Sequence, residues 1–128
     1  MKFLCMAYYD EKKFEALSAT EMHALVSQCP AHDEALRNTG HLTAQASLGP
    51  VRSAKVIRPR NGKPSVTDGP YAETKEMIGG FFIIEAQDAD DAVRIASKHP
   101  AALLGEHVGW GIEVRPIEAE CQYKKEIT

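Results

Sequence analysis

The sequence has no surplus of positive charge and no long apolar run, and these two absences exclude whole classes of function. Its 15 Lys and Arg residues stand against 18 Asp and Glu residues, which gives a formal net charge of -3. Proteins that bind nucleic acid through its phosphates generally carry a basic surface, so nucleic acid is not an expected partner. No apolar run reaches the roughly 18 residues that a membrane-spanning helix needs, so no membrane partner is expected either.

Cysteine is scarce and unpaired. The chain has three cysteines, Cys5, Cys29 and Cys121, widely spaced and without a CxxC pair. An odd, scattered set is typical of reduced thiols in a cytoplasmic protein, and the N-terminus shows no cleavage site of a signal peptide. Cys29 stands three residues before His32, but zinc sites take at least three protein ligands and no companion pair is present. No metal is therefore expected.

Signature motifs of the common cofactor and nucleophile chemistries are also missing. The chain contains no nucleotide-binding glycine loop, no nucleophile elbow and no HExxH, so no cofactor is expected. What is present is an ordinary composition of 44% hydrophobic and 26% charged residues over 128 positions. Such a chain is long enough to bury its own core, and it predicts a single domain over 1–128.

The spacing of apolar residues predicts two helical regions. The first begins at Ser18, which forms a capping box with Glu21, and continues to Gly40 as a C-cap. Pro30 falls inside it and should kink or split it, because proline has no N–H for the helical ladder. A second helix is predicted over 88–100.

Apolar and alternating segments predict the strands. They are expected over 2–9, 41–48, 51–59, 64–68, 79–87 and 110–117. Asn61-Gly62 predicts a hairpin between the third and fourth, because both residue types tolerate positive φ.

The order of these elements is β-α-β-(hairpin)-β-α-β. It predicts an α+β, ferredoxin-like fold in which two helices pack on one face of an antiparallel sheet. No further helix is available to cover the other face of the sheet. A second copy of the chain is the simplest cover, so we expect a homodimer.

The segment VTDGPYAETKEMIGGFFIIEA, residues 66–86, concentrates turn-forming and charged residues between two predicted strands. Gly69 and Pro70 predict a tight turn, and Tyr71 to Met77 predicts one turn of helix. Gly79-Gly80 predicts a sharp turn or a close approach of the backbone to another group. Two interpretations stay open: a connection whose charges are simply solvated, or a loop that carries a site.

This segment closely resembles the DGPF-domain proteins, a branch of the YCII-related superfamily. The motif appears as Asp68-Gly69-Pro70-Tyr71, with tyrosine in place of phenylalanine, and is followed by AETKE, GG-aromatic and IEVRPI elements. The resemblance covers nearly the whole chain. It implies dimers of the ferredoxin-like α/β-barrel type with a cleft near the subunit interface.

The resemblance implies less about chemistry. DGPF-type genes often neighbour genes for extracytoplasmic-function sigma factors, which makes a sigma factor a candidate partner. In the wider YCII-related group a His–Asp pair in the cleft is implied as catalytic. One protein resembling that group eliminates hydrogen chloride from a chlorinated quinone-type substrate.

His32 and Asp68 are the candidate catalytic pair. His32 continues the apolar line of the first helix, so its ring should point toward the sheet, and it looks like the group's motif histidine. Asp33 is adjacent to it in the helix and cannot face it, which leaves Asp68 as the acidic partner. Such a pair would poise the imidazole for proton transfer near neutral pH. The alternative is a structural His32 bonded to a backbone carbonyl, and His99, ahead of Pro100, is interpreted as a capping cation.

Four further residues are predicted to contact a ligand: Arg58, Tyr71, Glu73 and Lys75. Two functions stay open on this basis. One is a cofactor-independent acid/base enzyme acting on a small molecule, with His32 as the base and Asp68 orienting it. The other is a non-enzymatic module that senses a ligand or docks a partner protein, and a structural dimer without chemistry is a third outcome.

Overall fold

A computed structural model of the chain describes residues 1–118, and an antiparallel sheet forms its centre. The strands are β1 (Lys2–Asp10), β2 (Leu42–Ser47), β3 (Lys55–Arg60), β4 (Lys63–Asp68), β5 (Glu76–Glu85) and β6 (Gly111–Pro116). The helices are α1 (Glu11–Glu15), α2 (Ala19–Val26), α3 (Cys29–Arg37), α4 (Ala89–Ala96) and α5 (Pro100–Leu103). The predicted domain over 1–128 extends past this range, and Cys121 lies outside the described residues.

The strand order confirms the predicted α+β, ferredoxin-like class. Four strands pair in the order β2-β5-β1-β6, and all three pairings are antiparallel. Strands β3 and β4 form a separate two-stranded hairpin, which lies between β2 and β5 in the sequence. No helix within residues 1–118 has the length and apolar character needed to cross a membrane.

One face of the sheet packs on the helices and forms the core. Because side chains alternate between the two faces of a strand, the pairs Phe3–Ile84 and Cys5–Phe82 lie on the same face. All four are almost fully buried, and they form one cluster with helix residues that include Leu36 and Ile95. Burial raises the pKa of the Cys5 thiol to about 12, so this cysteine behaves as a small apolar side chain.

No helix within residues 1–118 covers the other face of the sheet. By the same alternation it carries Leu4, Met6, Phe81 and Ile83, which are only partly buried. These side chains are apolar, as an interface between two copies would require. The homodimer nevertheless stays a prediction, because the structure describes a single chain.

The helical region between β1 and β2 follows the sequence signals closely. The Ser18 side chain accepts a hydrogen bond from the Glu21 N–H, and the Glu21 carboxylate accepts one from the Ser18 N–H. The predicted split is confirmed, because α2 ends at Val26 and Pro30 stands in the first turn of α3, where its missing N–H costs nothing. The sequence did not predict α1, which Asp10 caps by accepting a hydrogen bond from the Lys13 N–H at 3.2 Å.

One predicted strand begins too early, and one predicted turn of helix is wrong. Residues 51–53 form a short 3-10 turn, so β3 begins only at Lys55. Tyr71 to Met77 is not helical, because the backbone at Glu76 and Met77 pairs instead with Asp10 and Tyr9 of β1. A strand ladder takes the backbone groups that a helical turn would have used.

Core packing makes a direct prediction about stability. Leu36→Ala should lower the free energy of unfolding by about 2–5 kcal/mol, because the fully buried side chain leaves a cavity in the core. The matched change Leu103→Ala, at a position that is 57% exposed, should cost no more than about 0.5 kcal/mol. Urea denaturation followed by circular dichroism measures both, and equal losses in the two variants would contradict this packing.

Candidate functional site

A cavity of about 550 Å³ lies between one end of the sheet and the helices α1, α3 and α5. Strands β1, β2 and β5 contribute to its lining, together with the loop after β2 and Trp110. Its volume falls within the roughly 300–1,000 Å³ that small-molecule sites occupy. Most of the lining is apolar or aromatic, and a few polar side chains stand among these groups.

Two adjacent glycines shape the sheet where it borders the cavity. Ala7 pairs with Gly80 and Tyr8 pairs with Ile78, so Gly79 is an extra residue in β5. A Cβ atom on Gly79 would lie 3.0 Å from the Tyr9 ring, and one on Gly80 would lie 3.0 Å from a backbone carbonyl oxygen of β2. The close backbone approach predicted for this pair is confirmed.

His99 is a titratable side chain in the wall of the cavity. Its Nδ1 atom accepts a hydrogen bond from the Ala101 N–H at 3.0 Å, which caps the start of α5. Its ring stacks on Phe82, with the centroids 4.6 Å apart and the planes 6° from parallel. Burial lowers the pKa of His99, and the nearby Asp33 carboxylate opposes this effect only in part.

The protonation state of His99 follows from these contacts. Because Nδ1 accepts a hydrogen bond, the neutral ring carries its proton on Nε2. With a lowered pKa, the ring is neutral at pH 7 and can donate a hydrogen bond from Nε2. The interpretation of His99 as a capping cation is therefore wrong: the residue caps a helix as a neutral acceptor.

Asp33 brings a carboxylate to the same cavity from α3. It is half-buried, and the Gln45 side-chain amide lies 3.5 Å from its Oδ1 atom, at the outer limit of a hydrogen bond. Cys29 lies one turn earlier on the helix, and burial, with a further contribution from Asp33, raises the pKa of its thiol. Cys29 is thus a neutral thiol at pH 7.

An aromatic pair with two carboxylates lines the side of the cavity formed by α1. The Tyr9 and Phe14 rings meet edge to face, with their centroids 5.7 Å apart. Burial raises the pKa of the Tyr9 phenol, and the carboxylates of Glu11 and Glu15 raise it further. Tyr9 therefore keeps its proton at neutral pH and serves as a hydrogen-bonding group, not as a base.

The predicted pair of His32 and Asp68 does not contribute to the lining of this cavity. His32 is half-buried on α3 next to Asp33, whereas Asp68 ends β4 with a side chain that is 83% exposed and forms an ion pair with Lys55. No hydrogen bond or ion pair joins His32 to Asp68 in the part of the chain that the structure describes. Their pairing stays a prediction.

The predicted ligand-binding residues lie on the hairpin and the loop that follows it. The Arg58 guanidinium donates a hydrogen bond to the Tyr71 carbonyl oxygen at 2.9 Å, and its central carbon lies 4.1 Å from the centroid of the Tyr71 ring. Glu73 and Lys75 are exposed on the loop before β5. None of the four lines the 550 Å³ cavity, although Tyr71 borders a second hollow of about 310 Å³.

Sequence reasoning missed His99 and Asp33. A signal for His99 was present, since a histidine directly before a proline can be an N-cap whose proline occupies the first helical position. Asp33 was considered only as a neighbour of His32. Within residues 1–118, no group of three or more His, Cys, Asp or Glu side chains is placed to hold a metal ion.

Residues 1–117 match the model of the YCII-related domain. The chain belongs to the YCII-related domain family. A curated relative from Rhizobium meliloti (strain 1021), "Uncharacterized protein R00369", is 32% identical over 96 residues, which cover 75% of this chain and 77% of that protein. The solved structure of 5-chloro-2-hydroxyhydroquinone dehydrochlorinase from Burkholderia phenoliruptrix AC1100 is 16% identical, with a TM-score of 0.47 over 94% of this chain and 96% of that one.

The close approach of the β2 backbone to Gly80 predicts that the stability of the fold depends on the absence of a side chain at this position. Gly80→Ala should lower the free energy of unfolding by about 1–3 kcal/mol, because its methyl group would meet the fixed backbone of β2. Gly111→Ala is the matched control, since a Cβ atom there has no neighbour within 4 Å. Thermal and urea unfolding of the two variants measure the difference, and a Gly80→Ala protein as stable as Gly111→Ala would rule out the contact.

The pKa of His99 predicts how stability depends on pH. Because its pKa in the folded chain lies below the ordinary value of 6.5, the unfolded chain binds more protons as the pH falls past that value. Stability should therefore decrease between pH 7 and pH 5, and His99→Asn should remove part of this decrease.

The comparison requires urea titrations of both proteins across that range. Glu21 and Asp91, whose pKa values are lowered from 4.5 and 3.8, lose their stabilising contributions mainly below about pH 5, so they add little to the decrease in this range. The same pH slope in wild type and His99→Asn would show that His99 does not titrate as described.

Proposed function

We propose that this chain binds a small molecule in the 550 Å³ cavity and transfers protons to or from it without an organic cofactor. The observation that carries the proposal is the state of His99, which lines the cavity while its Nδ1 atom is occupied by the Ala101 N–H. A neutral imidazole held in this way has one defined donor, Nε2–H. The carboxylate of Asp33 borders the same space.

These two groups suit complementary steps of acid–base chemistry. The Nε2–H of His99 would donate a hydrogen bond to a carbonyl or hydroxyl oxygen and stabilise negative charge that develops there. The carboxylate of Asp33 would accept a proton from the ligand. Apolar walls reduce the competition from water for both interactions. Elimination or isomerisation next to a carbonyl is the reaction class that such a pair serves best.

A second candidate function is the docking of a partner protein through the β3–β4 hairpin. Ile57 and Val66 pair across the two strands, yet they are 66% and 62% exposed. Exposed apolar side chains that lie together are typical of an interaction surface. A sigma factor, which the family resemblance implies, is the partner to test under this proposal.

A screen for thermal stabilisation by a metabolite library tests the first proposal. A specific ligand should raise the melting temperature of the wild type, because it binds the folded state alone. His99→Asn should lose this shift, whereas His32→Asn should keep it. Asparagine is chosen because its side-chain oxygen can still accept the Ala101 N–H and keep α5 capped. A shift that His32→Asn loses and His99→Asn keeps would instead favour the His32–Asp68 pair.

Exchange of hydrogen for deuterium then separates catalysis from binding. Compounds found in the screen are incubated with the protein in D₂O, and proton NMR measures the loss of signal at carbons next to a carbonyl. Exchange that disappears in Asp33→Asn, while binding is retained, supports proton transfer. Ligands that bind without exchange or turnover support a sensing role.

The docking proposal has its own readout. Ile57→Ser combined with Val66→Ser should abolish the binding of a purified sigma factor and leave any thermal shift by small molecules unchanged. Retained binding of the sigma factor by this double variant contradicts docking through the hairpin.

A further inference from the structure

We propose that the cavity selects its ligand by charge. It accepts a small molecule that carries both an aromatic ring and a protonated alkylamine group, and it excludes anions such as carboxylates and phosphates. This inference rests on the proposed function, because it concerns the ligand of the same cavity. It adds a chemical class that neither the family nor the proton-transfer chemistry specifies.

The ionisable side chains that line the cavity are mostly acidic. Glu11, Glu15 and Asp33 contribute three carboxylates, and Arg52 contributes the one guanidinium found among the lining residues described. His99 adds no charge at pH 7, because burial lowers its pKa. The two lysines of α1 are not part of the lining. A cation that enters therefore gains attraction, and an anion meets repulsion.

Helix α1 places its two carboxylates on one face. Glu11 and Glu15 are four residues apart, a spacing that brings side chains together on a helix. Phe14 belongs to the same turn and meets Tyr9 edge to face. An ammonium group near this helix would thus have carboxylates beside it and aromatic rings within reach for a cation–π contact.

The field of these carboxylates reaches other groups of the lining. Glu11 and Glu15 both raise the pKa of the Tyr9 phenol, and Asp33 raises the pKa of the Cys29 thiol. In both cases the carboxylates oppose a new negative charge on the side of the cavity formed by Tyr9 and Cys29, which is what an anionic ligand would bring there.

Arg52 opposes this selection only weakly. Its side chain is exposed on the loop after β2, where water and salt screen its charge. Glu15 is also exposed, but Glu11 and Asp33 are half-buried, so the charges of these two carboxylates are less screened. The carboxylates therefore outweigh the guanidinium both in number and in effect on the interior.

The rate at which charged reagents modify Cys29 can measure the charge selectivity of the cavity, because the thiol of this residue lines the cavity. A Cys121→Ser variant leaves Cys5 and Cys29, and Cys5 is fully buried with a pKa of about 12. Three methanethiosulfonate reagents are compared: neutral methyl, cationic trimethylammonioethyl and anionic sulfonatoethyl. In each reaction the Cys29 thiolate attacks the thiosulfonate sulfur, a mixed disulfide forms, and methanesulfinate leaves. Mass spectrometry identifies the modified residue and measures the rate.

The expected result is a preference for the cationic reagent. Relative to free cysteine in the same buffer, the ratio of cationic to anionic rates should rise on the order of tenfold at low ionic strength, and added salt should reduce it. Glu11→Gln with Glu15→Gln should lower the ratio toward that of free cysteine, with Asp33, which acts directly on Cys29, maintaining the remainder. Glu113→Gln with Glu118→Gln, which removes two negative charges from exposed positions outside the cavity, should leave the ratio high.

Each outcome bears on a different statement. A ratio equal to or below that of free cysteine overturns charge selection. If the neutral reagent still reacts at a normal rate, small molecules enter the cavity, and the proposed function is not contradicted. A neutral reagent that modifies Cys29 only after denaturation would show that small molecules do not enter, and would overturn the proposed function together with this inference.

Protection of Cys29 tests the ligand class directly. Benzylamine, benzyl alcohol and benzoate carry the same ring with a positive, neutral and negative group. Benzylamine should slow the reaction of Cys29 with the neutral reagent most, and benzoate should slow it least. Equal protection by all three, no protection by any, or strongest protection by benzoate contradicts the proposal.

Discussion

The stacking of His99 on Phe82 connects the cavity to the core, and the chemistry of the site depends on it. Phe82 is fully buried in the central pair of strands, so its ring fixes the plane of the imidazole. In that position Nδ1 meets the Ala101 N–H. A proton on Nδ1 would oppose this N–H, and burial also disfavours the charged ring. The packing of the core thus determines which nitrogen of His99 can act on a ligand.

The fold was largely predictable because local signals agreed with one another. The capping box at Ser18, the proline at position 30 and the hairpin at Asn61-Gly62 each specify one conformation for physical reasons. The unpredicted helix α1 has only five residues and one capping side chain, Asp10. Helices this short depend on tertiary contacts, which periodicity does not reveal.

The site was less predictable, and the helix that carries Asp33 shows why. The direction assigned to His32 extended the apolar line of Met22, Val26 and Cys29 across the break that was predicted at Pro30. The break between α2 and α3 interrupts that line, so positions before it no longer indicate the direction of those after it. Because successive residues of a helix point about 100° apart, a small change of orientation exchanges the roles of two neighbours. Asp33 borders the cavity, and His32 does not.

The segment Asp68-Gly69-Pro70 makes local contacts that hold the base of the hairpin. Asp68 pairs with Lys55, and the Gly69 N–H donates to the Ala54 carbonyl oxygen at 2.8 Å. A Cβ atom on Gly69 would lie 2.7 Å from that of Ala54, so only glycine fits. Each of these contacts joins the end of β4 to the start of β3. A strong sequence motif therefore has a structural role in this chain that is separate from the cavity.

The net charge of the chain does not show how its charges are distributed over the structure. The hairpin, residues 55–68, carries four cationic side chains and one carboxylate, although the whole chain has a net charge of -3. The cavity has the opposite balance, and two of its three carboxylates come from α1. The buried Asp10 at the end of β1 starts that helix and so places both of them. The proposed discrimination between ligands thus depends on α1, a short helix that the sequence pattern does not predict. The fold and the family can therefore be inferred from the sequence more readily than the ligand.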